Sequence, residues 1–210
     1  PAGLILAGLE HTPRTRAMLQ GAGVRVAELL DIDGAGIDIV VGFSNREAGR
    51  ASARLFAERG YRRIGYVGHD LSRDRRAAKR KNGFAEGLAE TGLRIEDAAI
   101  VEGFSSIEAG RHGLAQLLAH RPDLDAVYFS NDDMAVGGLF HCTACGIAIP
   151  GDLAIMGYNG LDIARLSPQP LATILTPRAR VGEIGAERLF ANGPPEVIDL
   201  GFELIAGATL

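Results

Sequence analysis

The feature of this chain that most limits its fold is the alternation of short apolar runs with longer stretches of helical period. The apolar runs are rich in β-branched residues, and most of them are continuous rather than interrupted by polar residues. Continuous apolar runs are typical of strands that are covered on both faces, as the strands of parallel sheets are. The sequence therefore predicts an α/β fold with doubly wound parallel sheets, in which ligands bind at the carboxyl ends of the strands.

The boundaries of these elements follow from the apolar pattern and from helix-capping residues. Strands are predicted over residues 3–7, 24–30, 37–43, 63–68, 98–101, 126–129, 153–157, 172–175 and 197–206. Helices are predicted over residues 13–20, 46–59, 75–91, 107–120, 134–145 and 178–191. Before the last helix, Thr176 and Pro177 are of the types preferred at an N-cap and in a first turn.

Composition and charge exclude several classes of protein. The 210 residues carry 22 Lys and Arg against 26 Asp and Glu, so the net charge is −4, which is unlike a free-standing nucleic-acid binder. No stretch approaches the roughly 20 consecutive apolar residues of a membrane helix, so no membrane partner is predicted. The start of the chain shows no secretory pattern, and two cysteines are too few for a disulfide framework, so we expect a cytoplasmic protein.

Known catalytic motifs are incomplete in this sequence. Residues 42–44 and 103–105, both Gly-Phe-Ser, begin like nucleophile elbows, but Arg46 and Ile107 stand where the closing glycine is required. Neither the glycine-rich turn of dinucleotide-binding folds nor a phosphate-binding P-loop is present. These observations favour a binding protein over an enzyme, and they predict no cofactor.

His141, Cys142 and Cys145 offer imidazole and thiolate groups at a spacing that can share a zinc ion. A zinc site needs further ligands, and the chain has no second cysteine pair. We therefore interpret the two cysteines as small apolar side chains packed on a helix, and we predict no metal site.

Polar residues stand just past the ends of several predicted strands. The basic run at 73–81 is most simply a solvated helix face, but one of its arginines could hold an anion near the helix start. Residues 130–133 (Ser-Asn-Asp-Asp) suit a helix N-cap, and residues 158–160 (Tyr-Asn-Gly) suit a turn. Because the carboxyl ends of parallel strands meet at one edge of a sheet, both groups could also bind a ligand.

Several segments share their residues, order and spacing with one known family. They are residues 45–64, Arg80-x-x-Gly83-Phe84, residues 129–137, residues 146–158 and Pro170-Leu171-x-Thr173. In these segments the chain resembles the effector-binding core of the LacI and GalR type of bacterial transcription repressors. The ending, at residues 174–189 and 199–202, is similar to the gluconate-operon repressor branch of that family.

The resemblance implies a two-lobed, periplasmic-binding-protein-like fold whose chain crosses three times between the lobes. Crossings are expected near residues 42–44, 175–177 and 199–202. Residues 1–43 with 177–199 would form an incomplete N-terminal lobe, and residues 44–175 with 202–210 would form the C-terminal lobe. We expect this chain to lack the helix-turn-helix headpiece through which such repressors bind operator DNA.

The resemblance also implies an effector site. Its expected members are Arg80, Asn131, Asn159, Arg178, Phe104, Ser105 and Glu28. Asn159 departs from the family pattern, which has an aspartate at this position. The amide removes a negative charge while Arg80 and Arg178 add positive charge, so we expect a sugar acid such as gluconate rather than a neutral sugar. Glu28 could offset one of these positive charges.

These expectations combine into one functional prediction, the effector-binding and dimerisation core of a LacI-type repressor rather than an enzyme. A homodimer is expected, with contacts from the helix at 134–145 and from the loop after Asn159. Its apolar contact residues would be Leu139, Phe140, Leu161 and Ile163. A transport-type periplasmic sugar-binding protein on the same fold and a doubly wound enzyme are the alternatives.

Overall fold

The computed structural model describes residues 3–210, which form two compact units. Unit 1 contains the residues up to Asn45 together with Thr176–Phe202, and unit 2 contains Arg46–Leu175 together with Glu203–Leu210. The chain therefore passes from one unit to the other three times along its sequence.

Strands and helices alternate along most of the chain. The strands are β1 (Gly3–Ala7), β2 (Arg25–Leu29), β3 (Ile39–Gly42), β4 (Ile64–His69), β5 (Ile95–Val101), β6 (Ala126–Phe129), β7 (Ala154–Met156), β8 (Thr173–Leu175), β9 (Glu196–Asp199) and β10 (Glu203–Ile205). The helices are α1 (Pro13–Gln20), α2 (Asn45–Glu58), α3 (Arg75–Glu90), α4 (Ile107–His120), α5 (Asp132–Cys145), α6 (Asp162–Arg165) and α7 (Arg178–Phe190). Within residues 3–210, no helix has the length and apolar character needed to cross a membrane.

Unit 1 is built on a parallel sheet with the strand order β1-β2-β3-β9. Helix α7 packs on one face of this sheet, where Leu29 of β2 lies against Gly185 of the helix. Strand β3 is buried along its whole length, and β2 is buried at its three central residues. This burial explains why β3 is a continuous apolar run, whereas the buried centre of β2 includes the charged residue Glu28.

Unit 2 is built on a second parallel sheet, with the strand order β5-β4-β6-β7 and with helices on both faces. On one face, Phe56 of α2 and Phe84 of α3 pack against Tyr128 of β6, and the Phe84 and Tyr128 ring centroids are 4.3 Å apart. On the other face, α4 and α5 cover apolar residues of β4 and β6. This arrangement confirms the predicted doubly wound parallel sheet.

The helices on each face of the unit 2 sheet approach one another at glycines. A Cβ atom on Gly49 of α2 would overlap the carbonyl oxygen of Arg80 in α3, and one on Gly83 of α3 would overlap the backbone of α2. Helices α4 and α5 meet in the same reciprocal way, at Gly110 and Gly137. In both pairs the two backbones touch, so the main chain itself sets the spacing of the helices.

The prediction of one strand over residues 197–206 is wrong. Two short strands, β9 and β10, lie there, separated by a turn in which Asp199 Oδ1 accepts the N–H of Gly201 at 2.8 Å. Gly201 has a φ of 64°, a left-handed conformation that glycine adopts without a Cβ clash. Strand β9 pairs in parallel with β3 in unit 1, whereas β10 pairs antiparallel with β8 in unit 2, so the chain changes unit at this turn.

Three smaller differences from the sequence prediction have local causes. Strand β5 begins at Ile95 rather than at residue 98, because it is an edge strand and carries the half-buried Glu96 and Asp97 within it. Helix α6 has four residues, too few to show a helical period. Helix α7 has no side-chain cap, and Thr176 contributes its carbonyl oxygen, which accepts the N–H of Arg178 at 2.9 Å.

Candidate ligand site on unit 2

The carboxyl ends of four strands meet at one edge of the unit 2 sheet. Strand β4 ends at His69, β6 leads into Asn131, β7 leads into Asn159, and β5 leads into the loop at residues 102–106. Because the strands are parallel and adjacent in the order β5-β4-β6-β7, these polar segments lie side by side. This edge is where a parallel sheet of this kind binds ligands.

Arg80 reaches this edge from helix α3 and is only 6% exposed. Its Nη2 atom donates a hydrogen bond to the carbonyl oxygen of Ser130 at 3.0 Å. The central carbon of its guanidinium lies 3.9 Å from the centroid of the Tyr158 ring, a cation–π contact. Together these contacts fix the orientation of a planar group whose donors suit a carboxylate.

Asn131 is the N-cap of helix α5, and it is buried. Its Oδ1 accepts the N–H of Met134 at 3.1 Å, which confirms the capping role that its residue type indicates. The side-chain NH2 group has no hydrogen-bond partner among residues 3–210. A ligand at this edge could therefore accept a hydrogen bond from Asn131.

Asn159 lies in a loop whose backbone is strained. Its φ of 120° is uncommon for a residue other than glycine, although asparagine is enriched among the exceptions. Its N–H donates to the carbonyl oxygen of Ile174 at 3.0 Å, so the loop runs beside β8. The residue is half-buried, which leaves part of its side chain accessible at the edge of the sheet.

Asp132 holds this loop in place, a role that the sequence did not predict for it, since residues 130–133 were predicted only as a helix cap or as ligand-binding groups. The residue is fully buried, its Oδ2 accepts the N–H of Leu161 at 2.8 Å, and its Oδ1 accepts the hydroxyl of Thr173 at 2.7 Å. Its own N–H donates to the carbonyl oxygen of Tyr158 at 2.9 Å. Burial raises the pKa of this carboxyl, while the hydrogen bonds that it accepts oppose the shift. Asp132 thereby joins the start of α5 to the segment that contains Asn159.

A second group of polar residues, which the sequence analysis did not predict, includes Ser130, whose carbonyl oxygen accepts from Arg80. The imidazole of His69 is near both the Ser130 hydroxyl and the carboxylate of Asp74. Asp74 is the N-cap of α3 and accepts the N–H of Ala77 at 2.9 Å. Burial alone would raise the pKa of Asp74, but His69, the Ala77 N–H and the nearby Arg80 hold that pKa well below its usual range.

Phe104 and Ser105 lie in the loop that follows β5. Phe104 is 80% exposed and Ser105 is half-buried. Phe104 borders a cavity of about 770 Å³ that is lined mainly by α4 and by the end of β5, and Arg80 and Asn131 are not among its lining residues. Arg80 bonds to Ser130, which precedes Asn131, and Asp132 bonds to Tyr158, which precedes Asn159, so these contacts link the three residues. Phe104 lies past the end of β5, the strand next to β4.

Glu28 and Arg178 belong to unit 1. Glu28 is fully buried, its Oε1 lies 2.7 Å from Nε2 of His11, and its Oε2 accepts the N–H of Ile37 at 2.5 Å. The structure thus pairs Glu28 with a histidine within unit 1, and whether it offsets the charge of an arginine at the site stays a prediction. Arg178 is the first residue of α7 and is exposed, and within residues 3–210 its side chain has no partner. Its expected role in the site stays a prediction.

The chain is similar to known transcription regulators along nearly its full length. The periplasmic binding protein-like domain family matches residues 53–209. The HTH-type transcriptional regulator GntR of Escherichia coli K12 is 40% identical over 99% of this chain and 63% of its own length.

The solved structures that match the whole of this chain include two transcription regulators. One is a LacI family transcriptional regulator from Silicibacter pomeroyi, with a TM-score of 0.93, 41% identity and 65% of that chain covered. The other is the transcription regulator GntR from Chromobacterium violaceum, with a TM-score of 0.89, 35% identity and 78% covered. The chain spans somewhat less than two thirds of the length of its curated relatives, such as the 63% covered in the Escherichia coli protein. The comparisons confirm the resemblance that the motifs indicated.

Proposed function

Because the chain belongs to the LacI family of transcriptional regulators, we propose that it is the effector-binding core of such a regulator. In the whole protein, a helix-turn-helix segment would bind operator DNA, and the effector would change the affinity for DNA by favouring one conformation of the core. The relatives described above are regulators, which favours this role over an enzyme or a transport-type sugar-binding protein on the same fold.

The effector that we propose is a sugar acid such as gluconate, and the buried guanidinium of Arg80 is the observation that carries this choice. A carboxylate can accept two parallel hydrogen bonds from a guanidinium, and these are stronger than bonds to a neutral hydroxyl. Asn159 stands where the family pattern has an aspartate, and an amide does not repel a ligand carboxylate as a second carboxylate would. Both residues therefore favour an anionic ligand.

The remaining groups at the edge suit the hydroxyls of a sugar acid. The Asn131 NH2 group can donate to a hydroxyl oxygen, and the Asn159 carboxamide can donate or accept. Phe104 and Ser105 are proposed as part of the pocket wall, and Arg178 of unit 1 as a second cation. Glu28 is already bonded to His11 and Ile37, so we propose that it acts through the fold of unit 1.

Thermal unfolding with gluconate, glucose and galactose tests the ligand class. We expect gluconate alone to raise the Tm, because a ligand that binds only the folded state stabilises that state. Equal or greater stabilisation by a neutral sugar would contradict the role of Asn159 and would leave only the assignment as a regulator core.

Calorimetry of Arg80→Ala tests the central residue of the site. We expect gluconate binding to weaken by about 2–4 kcal/mol, because a charge-assisted pair in a buried place loses one partner. Arg75→Ala is the matched control, since Arg75 lies on the same helix but is exposed, and it should bind gluconate like the wild type. An unchanged affinity in Arg80→Ala would remove Arg80 from the site.

We also propose that two chains associate through α5 and the loop after Asn159. Phe140 is 53% exposed and Ile163 is also exposed, whereas Leu139 packs against the core of unit 2. A two-fold interface would bury these exposed apolar side chains. Sedimentation should show a dimer that Phe140→Asp dissociates and that Val197→Asp, a change at a residue of unit 1 that is 63% exposed, leaves intact. A wild type that is monomeric at micromolar concentration would contradict this interface.

A further inference from the structure

His69 lies between the residue that follows β6, which bonds to Arg80, and the start of α3, the helix that carries Arg80. It is the last residue of β4 and is 5% exposed. Its Nδ1 atom lies 3.0 Å from the hydroxyl oxygen of Ser130, and its Nε2 atom lies 3.3 Å from Oδ2 of Asp74. Since Ser130 follows β6 and Asp74 begins α3, one imidazole joins a strand end to a helix start.

The partners of His69 determine where its hydrogen atoms lie. An ionised carboxylate can only accept, so Nε2 of His69 donates to Asp74. In the neutral ring, Nδ1 accepts the hydroxyl of Ser130. In the protonated ring, Nδ1 donates to that hydroxyl, which then turns towards Sδ of Met134 at 3.3 Å. His69 keeps both contacts in either state, so it is a stable link.

The same two partners lead to the guanidinium of Arg80. The carbonyl oxygen of Ser130 accepts Nη2 of Arg80 at 3.0 Å, and the next residue in the chain is Asn131. Asp74 caps the helix that carries Arg80. The contacts form a closed ring that runs from Asp74 through His69 and Ser130 to Arg80 and returns along α3.

We propose that His69 is a positioning residue of the effector site, which holds Ser130 and, through it, the Arg80 guanidinium in the orientation that receives the ligand. The inference rests on the proposed function, because it assigns His69 to the site built around Arg80. Serine, histidine and aspartate also occur together in hydrolases. Here the Ser130 side chain is buried and lies between His69 and Met134, so the geometry points to support of Arg80 rather than to nucleophilic attack.

The first test needs no ligand. Rotation within the Arg80 guanidinium is slow while Nη2 is hydrogen-bonded, and arginine side-chain NMR of the free protein measures it. We expect slow rotation in the wild type and in His69→Asn, whose carboxamide can still reach Ser130, and about tenfold faster rotation in His69→Ala. Unchanged rotation in His69→Ala, or rotation in His69→Asn as fast as in His69→Ala, would overturn the proposal.

The second test separates positioning from general stability. We expect His69→Ala to weaken gluconate binding about tenfold in the wild type but less than about twofold in Arg80→Lys, because lysine has no guanidinium to orient. An equal loss in both backgrounds would mean that His69 acts on the fold alone, and it would overturn the proposal. His120→Ala, at the exposed end of α4, is the control and should bind like the wild type.

The two tests fail in different ways. If gluconate does not bind the wild type, the proposed ligand is wrong, and the rotation of Arg80 still decides the role of His69. If gluconate binds but rotation in His69→Ala is unchanged, the proposed function stands and the role of His69 falls.

Discussion

Two carboxylates, the half-buried Asp38 in unit 1 and the fully buried Asp132 in unit 2, differ in whether a charged group bonds to them. In unit 1, Asp38 accepts Nε and Nη2 of Arg25 at 2.7 and 3.1 Å. In unit 2, Asp132 accepts the hydroxyl of Thr173 and the N–H of Leu161, which are both neutral. Burial raises the pKa of each carboxyl. At Asp38 the hydrogen bonds from Arg25, the N–H of Val26 and the charge of Arg25 together outweigh burial and lower the pKa, whereas at Asp132 burial prevails and the pKa is raised.

The difference shows what each carboxylate does for its unit. The Arg25–Asp38 pair joins β2 to the residue just before β3, so its charges stabilise the sheet of unit 1. Asp132 instead holds the loop that contains Asn159. Because its donors are neutral, they add no positive charge beside the one that Arg80 offers to a ligand. The carboxylate at the candidate site therefore positions a loop without competing for the anion.

Removal of Asp132 should have the largest effect on stability among the changes at these two carboxylates. Asp132→Ala leaves the Thr173 hydroxyl and the Leu161 N–H without their acceptor in a buried place. We expect the free energy of unfolding, measured by urea denaturation, to fall by about 3 kcal/mol. Gluconate binding should also weaken, because the loop that carries Asn159 loses its anchor.

Asp132→Asn is the matched control for this change. Its carbonyl oxygen can still accept the N–H of Leu161, and its NH2 group can donate to the oxygen of Thr173. A loss of about 1 kcal/mol is expected, well below that of the alanine variant. Equal losses in the two variants would show that the negative charge, and not the shape and hydrogen bonding of the side chain, holds the loop.

A smaller effect, with a defined pH dependence, is expected at Asp38. Asp38→Asn should lower the free energy of unfolding by about 1–2 kcal/mol at pH 7, because it removes a charge-assisted pair. The folded pKa of Asp38 lies below the unfolded value of 3.8, so this contribution is present above that value and is lost as the pH falls through the folded pKa. Urea denaturation of both proteins across the acidic range measures the change.

The contribution of Asp132 to stability should change with pH in the opposite direction to that of Asp38. Its folded pKa lies above 3.8, so its contribution is fully present below that value and is lost as the pH rises through the folded pKa. The stability difference between the wild type and Asp132→Asn should therefore shrink as the pH rises, while that of Asp38→Asn grows. If both stability differences changed with pH in the same direction, burial would not be what sets the pKa of Asp132.

The residues of the candidate site differ in how far the sequence could reveal them. Arg80 stands in a local motif and was predicted from it. The sequence did not single out His69, nor the role of Asp132 in holding the loop, because each acts through a partner far along the chain. Ser130 is 61 residues from His69, and Thr173 is 41 residues from Asp132. These pairs depend on which strands become neighbours, and the apolar pattern of a single strand carries no information about its neighbour.

The same reason separates the predictable parts of the fold from the others. The bounds of β1, β6, α1 and α4 agree with the sequence prediction, because each has a local apolar pattern or local capping residues. Strands β8 and β10 pair with each other although residues 176–202 of unit 1 stand between them in the sequence. Each of these strands has only three residues, which is too short for its apolar pattern to predict which strand it pairs with.

The glycine contacts between α2 and α3 give different parts of unit 2 different freedom to evolve. A new side chain at position 80 would change what is recognised, whereas a new side chain at Gly49 would push against the carbonyl group of Arg80 and displace the whole of α3. Selection for another effector can therefore act on the residues at the strand ends one at a time. The spacing of α3 from α2, and with it the position of residue 80, stays constant. The residues that contact the effector can therefore change while the backbone that carries them keeps its place.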